Sequence, residues 1–121
     1  MNVQGKNIII TGGSLGIGRE TARELVEKGA NVLITGRSEE RLGEAKRYTG
    51  SKIIKFDISD HENMHENAKK CLDILDGRVD VLINNAGIGV RKSIDELNIE
   101  DFLKVFNVNV FGLALFTREV I

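Results

Sequence analysis

Residues 11–18 read T-G-G-S-L-G-I-G, between the apolar run Asn7-Ile8-Ile9-Ile10 and a stretch of helix-forming residues. A buried strand that hands over to a helix through three spaced glycines is built to hold a pyrophosphate. Backbone N–H groups at the helix start point at the ligand, the helix dipole favours its charge, and glycine allows close approach. Gly12 can supply the tight turn, Gly16 the close approach and Gly18 the contact of helix with strand. Ser14, Leu15 and Ile17 lie between them and belong to the same candidate binding turn. The spacing is G-x-x-x-G-x-G rather than G-x-G-x-x-G, and by itself it is a weak signal. Residues further along the chain strengthen it.

Strand-like and helix-like stretches alternate along the chain. Residues 8–11, 31–35, 53–56 and 81–83 read as strands. Residues 17–28 form an amphipathic pattern closed by Gly29, and Ser38 can cap a helix over 39–48 that Gly50 ends. Residues 60–75 place Met64, Ala68, Cys71, Leu72 and Leu75 on one helical face, and residues 99–121 read as one long final helix. Apolar strands joined by helices imply a parallel sheet covered on both faces. Right-handed crossovers then predict an α/β, Rossmann-like doubly wound sheet of about four strands in the order 3-2-1-4.

Composition narrows the partners. The 121 residues carry a net charge of −1, which argues against a nucleic-acid surface. No run approaches the roughly 20 apolar residues of a membrane span, and the first residues lack a signal peptide's apolar region. Cys71 is the only cysteine, which fits a reducing, cytoplasmic setting.

Three further features fall where a nucleotide needs them. Thr35-Gly36-Arg37-Ser38 ends the second strand, the place where an NAD site puts a carboxylate on the ribose 2′-hydroxyl. Here Arg37 offers a guanidinium that can pair with a 2′-phosphate, so the preference is NADP(H); the competing reading is a solvated loop arginine. Asp57, followed by Ile58, closes the third strand where it can accept from an adenine amino group, or serve instead as a helix N-terminal carboxylate. Asn84-Asn85-Ala86-Gly87 ends the fourth strand, where Asn84, Ala86 and Gly87 can flank the ribose or simply form a strand-end turn.

On these residues, together with Asn107-Val108-Asn109, the chain resembles the amino-terminal half of the short-chain dehydrogenase/reductase family. The resemblance runs over residues 1–121 and implies a dinucleotide-binding portion of an enzyme that moves a hydride between a carbonyl and an alcohol. It implies that Asn109 is the helix asparagine of the catalytic tetrad, holding a water in a proton relay. The family's catalytic Ser and Tyr-x-x-x-Lys lie further along than Asn109, so the 121 residues alone are expected to be inactive. The alternative is a half-fold that binds a nucleotide, or only itself, without turnover.

Two letter matches are read as decoys. Tyr48-Thr49-Gly50-Ser51-Lys52 fits Y-x-x-x-K, but Gly50 should break any helix there. His61-Glu62-Asn63-Met64-His65 fits H-E-x-x-H, yet no third ligand is evident and its helix should pack on the sheet, so no metal is assigned. The last helix holds Phe102, Phe106, Phe111 and Phe116 and is apolar on more than one face, so it should be largely buried. It has no stop signal, and the fourth strand would be an open edge, which predicts a homo-oligomer joined through that helix.

Overall fold

A computed structural model describes residues 2–121. Its elements run β1 (Asn7–Ile10), α1 (Gly16–Glu27), β2 (Asn31–Gly36), α2 (Glu39–Thr49), β3 (Lys52–Lys55), α3 (Met64–Ile74) and β4 (Val81–Ile83). A single 3-10 turn (Ile94–Glu96) precedes α4 (Ile99–Phe106), a π-helical segment (Asn107–Gly112) and α5 (Leu113–Val120). The four strands are parallel in the order β3-β2-β1-β4, as the alternation predicts.

The isoleucines of β1 show why both faces must be covered. Side chains alternate across a strand, so Ile8 and Ile10 point to one side and Ile9 to the other. Ile8 and Ile10 join Val32, Ile34, Ala22, Leu42 and Ala45 in a core under α1 and α2. Ile9 joins Leu33, Phe56, Met64, Ala68, Cys71, Leu75 and Phe116 in a second core under α3 and α5. Phe116 is fully buried, its ring centroid 5.6 Å from that of Phe56.

Local signals set most boundaries. Ser38 caps α2 by accepting from the Arg41 N–H at 3.2 Å, and Gly50 ends it with a left-handed φ of 79°. α3 starts at Met64, later than the apolar pattern indicates. Asp57 Oδ1 accepts from the Ser59 N–H and hydroxyl, and the turns over residues 57–63 delay the helix.

The final helix differs from expectation in pitch and in burial. A π segment interrupts it, and α4 buries none of its residues fully. Phe102, Phe106 and Phe111 each stay 46–47% exposed. The reason is geometric: α3 and α5 pack together over Ile9 and Leu33, whereas α4 packs chiefly on the π segment that follows it. Within the helical run, burial is confined to Val108, Gly112 and Phe116.

Candidate functional site: a cleft at the carboxyl ends of the strands

A cleft of about 530 Å³ opens beside β1, where the chain first winds outward to β2 and β3 and then crosses back from β3 to β4 on the other side. In open parallel sheets this switch point is where ligands bind. Of the residues singled out in the sequence, Gly12, Ser14, Leu15, Gly16, Arg37, Ser38, Asp57, Ile58, Ala86 and Gly87 all line it.

The glycine turn is built from both neighbouring strands. Gly12 has a φ of 68°, and a Cβ there would lie 2.8 Å from Ala86 Cα. The Gly13 N–H donates to the Thr35 carbonyl at 3.1 Å, and the Gly12 N–H reaches Thr35 Oγ1 at 3.4 Å. Thr11 is buried, and its Oγ1 accepts from the N–H groups of Asn85 and Ala86, each at 3.1 Å. Thus β2 and β4 hold the turn from opposite sides.

The residues fit a pyrophosphate. Leu15 occupies the N-cap of α1 without any side-chain cap, and the first turn of α1 carries no acidic residue. Its leading N–H groups therefore keep their donor capacity and their positive end of the dipole. Gly16, with φ of 56°, faces open space, so an anion can approach its backbone. Gly18 is buried behind the turn, where a Cβ would collide with the Asn85 side-chain amide. The same Cβ would lie 3.0 Å from the Gly12 carbonyl, so Gly18 is in close contact with both the β4 exit and the turn that leaves β1. Ile17 points outward, 81% exposed, and does not line the cleft.

At the β2 end, Gly36 leaves no carboxylate over the cleft, and a Cβ there would lie 3.3 Å from Ser14 Oγ. Arg37 and Arg41 are both exposed and both line this end. Arg41 is not legible in the sequence because it sits one turn into α2, where an arginine looks like any solvated helix residue. At the β3 end, one oxygen of Asp57 is engaged by Ser59 and the backbone of Ile58 packs on the π segment.

The two asparagines after β4 part company. Asn85 Nδ2 donates to the Gly12 carbonyl at 2.9 Å and lines the cleft. Asn84, the one singled out in the sequence, lies outside it, its amide donating to Thr117 Oγ1 of α5 at 3.2 Å. Both lie past the end of β4, where the Asn85 N–H donates to the Ile83 carbonyl at 3.0 Å, so position along the chain does not say which of them faces the cleft.

Asn109 stands behind the cleft, in the π segment. Its Nδ2 donates to the Ile88 carbonyl and its Oδ1 accepts from the Ile88 N–H, both at 2.9 Å. Gly87 passes close by, since a Cβ there would lie 3.5 Å from Asn109 Oδ1.

The letter matches fall elsewhere. Tyr48 sits on the outer side of α2, donating to Glu20 Oε1 at 2.6 Å with the Arg19 and Arg23 guanidinia over its ring. Hydrogen bonding to the Glu20 carboxylate raises the phenol above its ordinary range, the opposite of what an acid/base tyrosine needs. His61 precedes α3 and contacts the Asn107 carbonyl, whereas His65 pairs with Glu119 Oε2 at 2.9 Å. The two rings thus have different partners, Asn107 and Glu119.

A doubly wound parallel sheet with a glycine turn at its switch point defines a dinucleotide-binding α/β protein. The short chain dehydrogenase family model matches residues 6–121, and the chain belongs to that family. It is 40% identical over 124 residues to the NADP-dependent (R)-specific alcohol dehydrogenase of Lentilactobacillus kefiri, covering 96% of this chain and 47% of that protein. It is 34% identical over 126 residues to the L-rhamnose 1-dehydrogenase (NADP(+)) of Thermoplasma acidophilum, covering 99% and 49% respectively. A doubly substituted short-chain dehydrogenase/reductase from Serratia marcescens superposes with a TM-score of 0.86 at 27% identity, over 98% of this chain and 51% of the other. The chain thus spans about half the length of the curated relatives it matches. Among the described residues no helix is long and apolar enough to cross a membrane.

Proposed function

We propose that residues 1–121 are the dinucleotide-binding portion of an NADP(H)-dependent oxidoreductase acting on a small carbonyl or alcohol. The observation that carries this reading is the β2 end of the cleft, where Gly36 stands in place of a carboxylate and Arg37 and Arg41 line the wall while Glu39 and Glu40 stay outside it. A guanidinium pairs with a 2′-phosphate, whereas a carboxylate would repel it. Two relatives whose names specify NADP support the same choice.

The parts take distinct roles. The N-terminus of α1 with Gly12, Ser14, Leu15 and Gly16 binds the pyrophosphate, and Gly18 keeps the turn packed on Asn85. Arg37, Ser38 and Arg41 take the 2′-phosphate end. Asp57 and Ile58 flank the adenine, and Ala86 and Gly87 flank the ribose on the nicotinamide side. The nicotinamide, when bound, supplies the hydride chemistry. Asn109 sits at that end with its amide fixed by Ile88, as a residue ordering a proton-relay water requires.

Residues 1–121 bind but do not turn over, because their single tyrosine, Tyr48, is engaged by Glu20 far from the cleft. The half-exposed phenylalanines of the last helix form a second-copy contact, giving a homo-oligomer. Calorimetric titration with NADPH and NADH tests the cofactor reading. NADPH should bind at least about tenfold tighter, a gap of about 1.4 kcal/mol; equal affinities would remove the NADP assignment. A panel of ketones should give no NADPH oxidation with these 121 residues, and measurable turnover would overturn the claim of binding alone.

A further inference from the structure

The helix after the β4 loop changes pitch between Asn107 and Gly112. A π segment adds one residue to a turn and is rare, and it persists where outside contacts hold it. Because an α-helix advances about 100° per residue, that extra residue rotates everything beyond it by about the same angle. The rotation separates the exposed face of α4 from the buried Phe116 face of α5. It also decides where Asn109 points.

Contacts from two loops hold the segment. From the β4 loop, the Ile88 backbone both donates to and accepts from the Asn109 side chain. From the β3–α3 loop, His61 Nε2 lies 2.9 Å from the Asn107 carbonyl oxygen. That loop also presses on Gly112, where a Cβ would lie 2.5 Å from the Ile58 carbonyl. A carbonyl can only accept, so His61 must carry its proton on Nε2. The loop that delivers the ring is itself fixed: Asp57 Oδ1 binds Ser59, and the His61 N–H donates to the Ser59 carbonyl at 2.9 Å.

We infer that His61 is the positioning residue of the π segment. Its Nε2–H holds the Asn107 carbonyl and so keeps the shifted register that sets Asn109 on Ile88 and Val108 against the cleft. The histidine thereby ties the wall containing Asp57 and Ile58 to the wall containing Gly87 and Ile88. Only the consequence for cofactor affinity rests on the nucleotide reading above; the clamp itself does not.

The test uses the 121-residue chain with isotope-labelled NMR and NADPH titration. In the native protein, imidazole nitrogen shifts should report the Nε2–H tautomer, and an Nδ1–H tautomer would overturn the inference. His61→Leu should move the Ile88 amide and Asn109 side-chain signals and weaken NADPH roughly five- to tenfold. His61→Gln, whose amide can reach the same carbonyl, should restore both to within about twofold. Unchanged Ile88 and Asn109 signals in the leucine variant, or a glutamine variant as impaired as the leucine one, would refute the role. Should the leucine variant fail to fold, the native tautomer and the glutamine variant still decide. If native protein binds no NADPH, the cofactor reading falls while the Ile88 and Asn109 signals continue to judge the clamp.

Discussion

Gly12 carries two constraints that no other residue satisfies together: a left-handed φ and the close passage of Ala86. Gly12→Ala adds roughly 1–2 kcal/mol of backbone strain before the collision with Ala86 is counted, so cofactor binding should be lost; retained NADPH affinity by calorimetry would contradict the packing. On the proposed reading, Arg37 acts through a charged hydrogen bond to the 2′-phosphate. Arg37→Glu should cost NADPH about 10- to 100-fold in affinity, the range of a charged hydrogen bond, while NADH changes little. Equal losses for both cofactors would remove Arg37 from the 2′-phosphate role. Arg37 was legible in the sequence because its place follows from the end of a strand. Arg41 was not, because lining the cleft depends on how α2 leans over β2. Asn84 and Asn85 make the same point: their letters are identical, and only the positions of Thr117 and Gly12 distinguish them.

Elements here start and stop on side-chain chemistry. Ser38→Ala removes the N-cap of α2 and should destabilise the fold by about 1 kcal/mol, read as a lower urea midpoint. At the opposite end of the sheet, Asn7 is a buried amide with every group engaged: it bonds Leu75, Arg78 and Asn31 by side chain and Asp80 by its N–H. That N–H holds the Asp80 carboxyl below the ordinary aspartate range. A depressed folded-state pKa contributes stability above the unfolded value, near pH 4, and loses it as pH falls through the folded value. Asp80→Asn should therefore flatten the loss of stability as pH falls below about 4, measured by denaturant melts. An unchanged acid slope would assign the sensitivity to other carboxylates. The helix boundaries at Ser38 and Gly50 were readable because their cause is local. The π segment was not, since it depends on His61 and Ile88 meeting residues 107–109 from other parts of the chain.

The whole molecule leaves one face of its last helix poorly covered. Phe102, Leu103, Phe106, Val110 and Phe111 all remain close to half exposed, and Phe106 and Phe111 touch only edge to face. Sedimentation velocity over a hundredfold concentration range should show reversible association, and Phe102→Asp with Phe106→Asp should abolish it. A concentration-independent monomer would argue that this face is simply wet. Cys71 gives a contrasting check on the interior. Burial pushes its thiol up to about 12, so alkylation under native conditions should be slow and limited by opening of α3. Rapid native labelling would show that the second core is looser than its packing implies.

Sequence by itself determined the alternation of strands and helices, the strand order, the glycine turn and the basic end of β2. Each follows from periodicity, from chain handedness or from residues adjacent in sequence, and the physics involved is local. Tertiary structure alone decided which asparagine faces the cleft, how α4 departs from the sheet, and where the final helix gains its extra residue. Those outcomes depend on contacts such as His61 with Asn107 and Asn109 with Ile88, 46 and 21 residues apart. A hydrogen bond across such a separation leaves no trace in local pattern, because either partner reads alone as an ordinary polar residue.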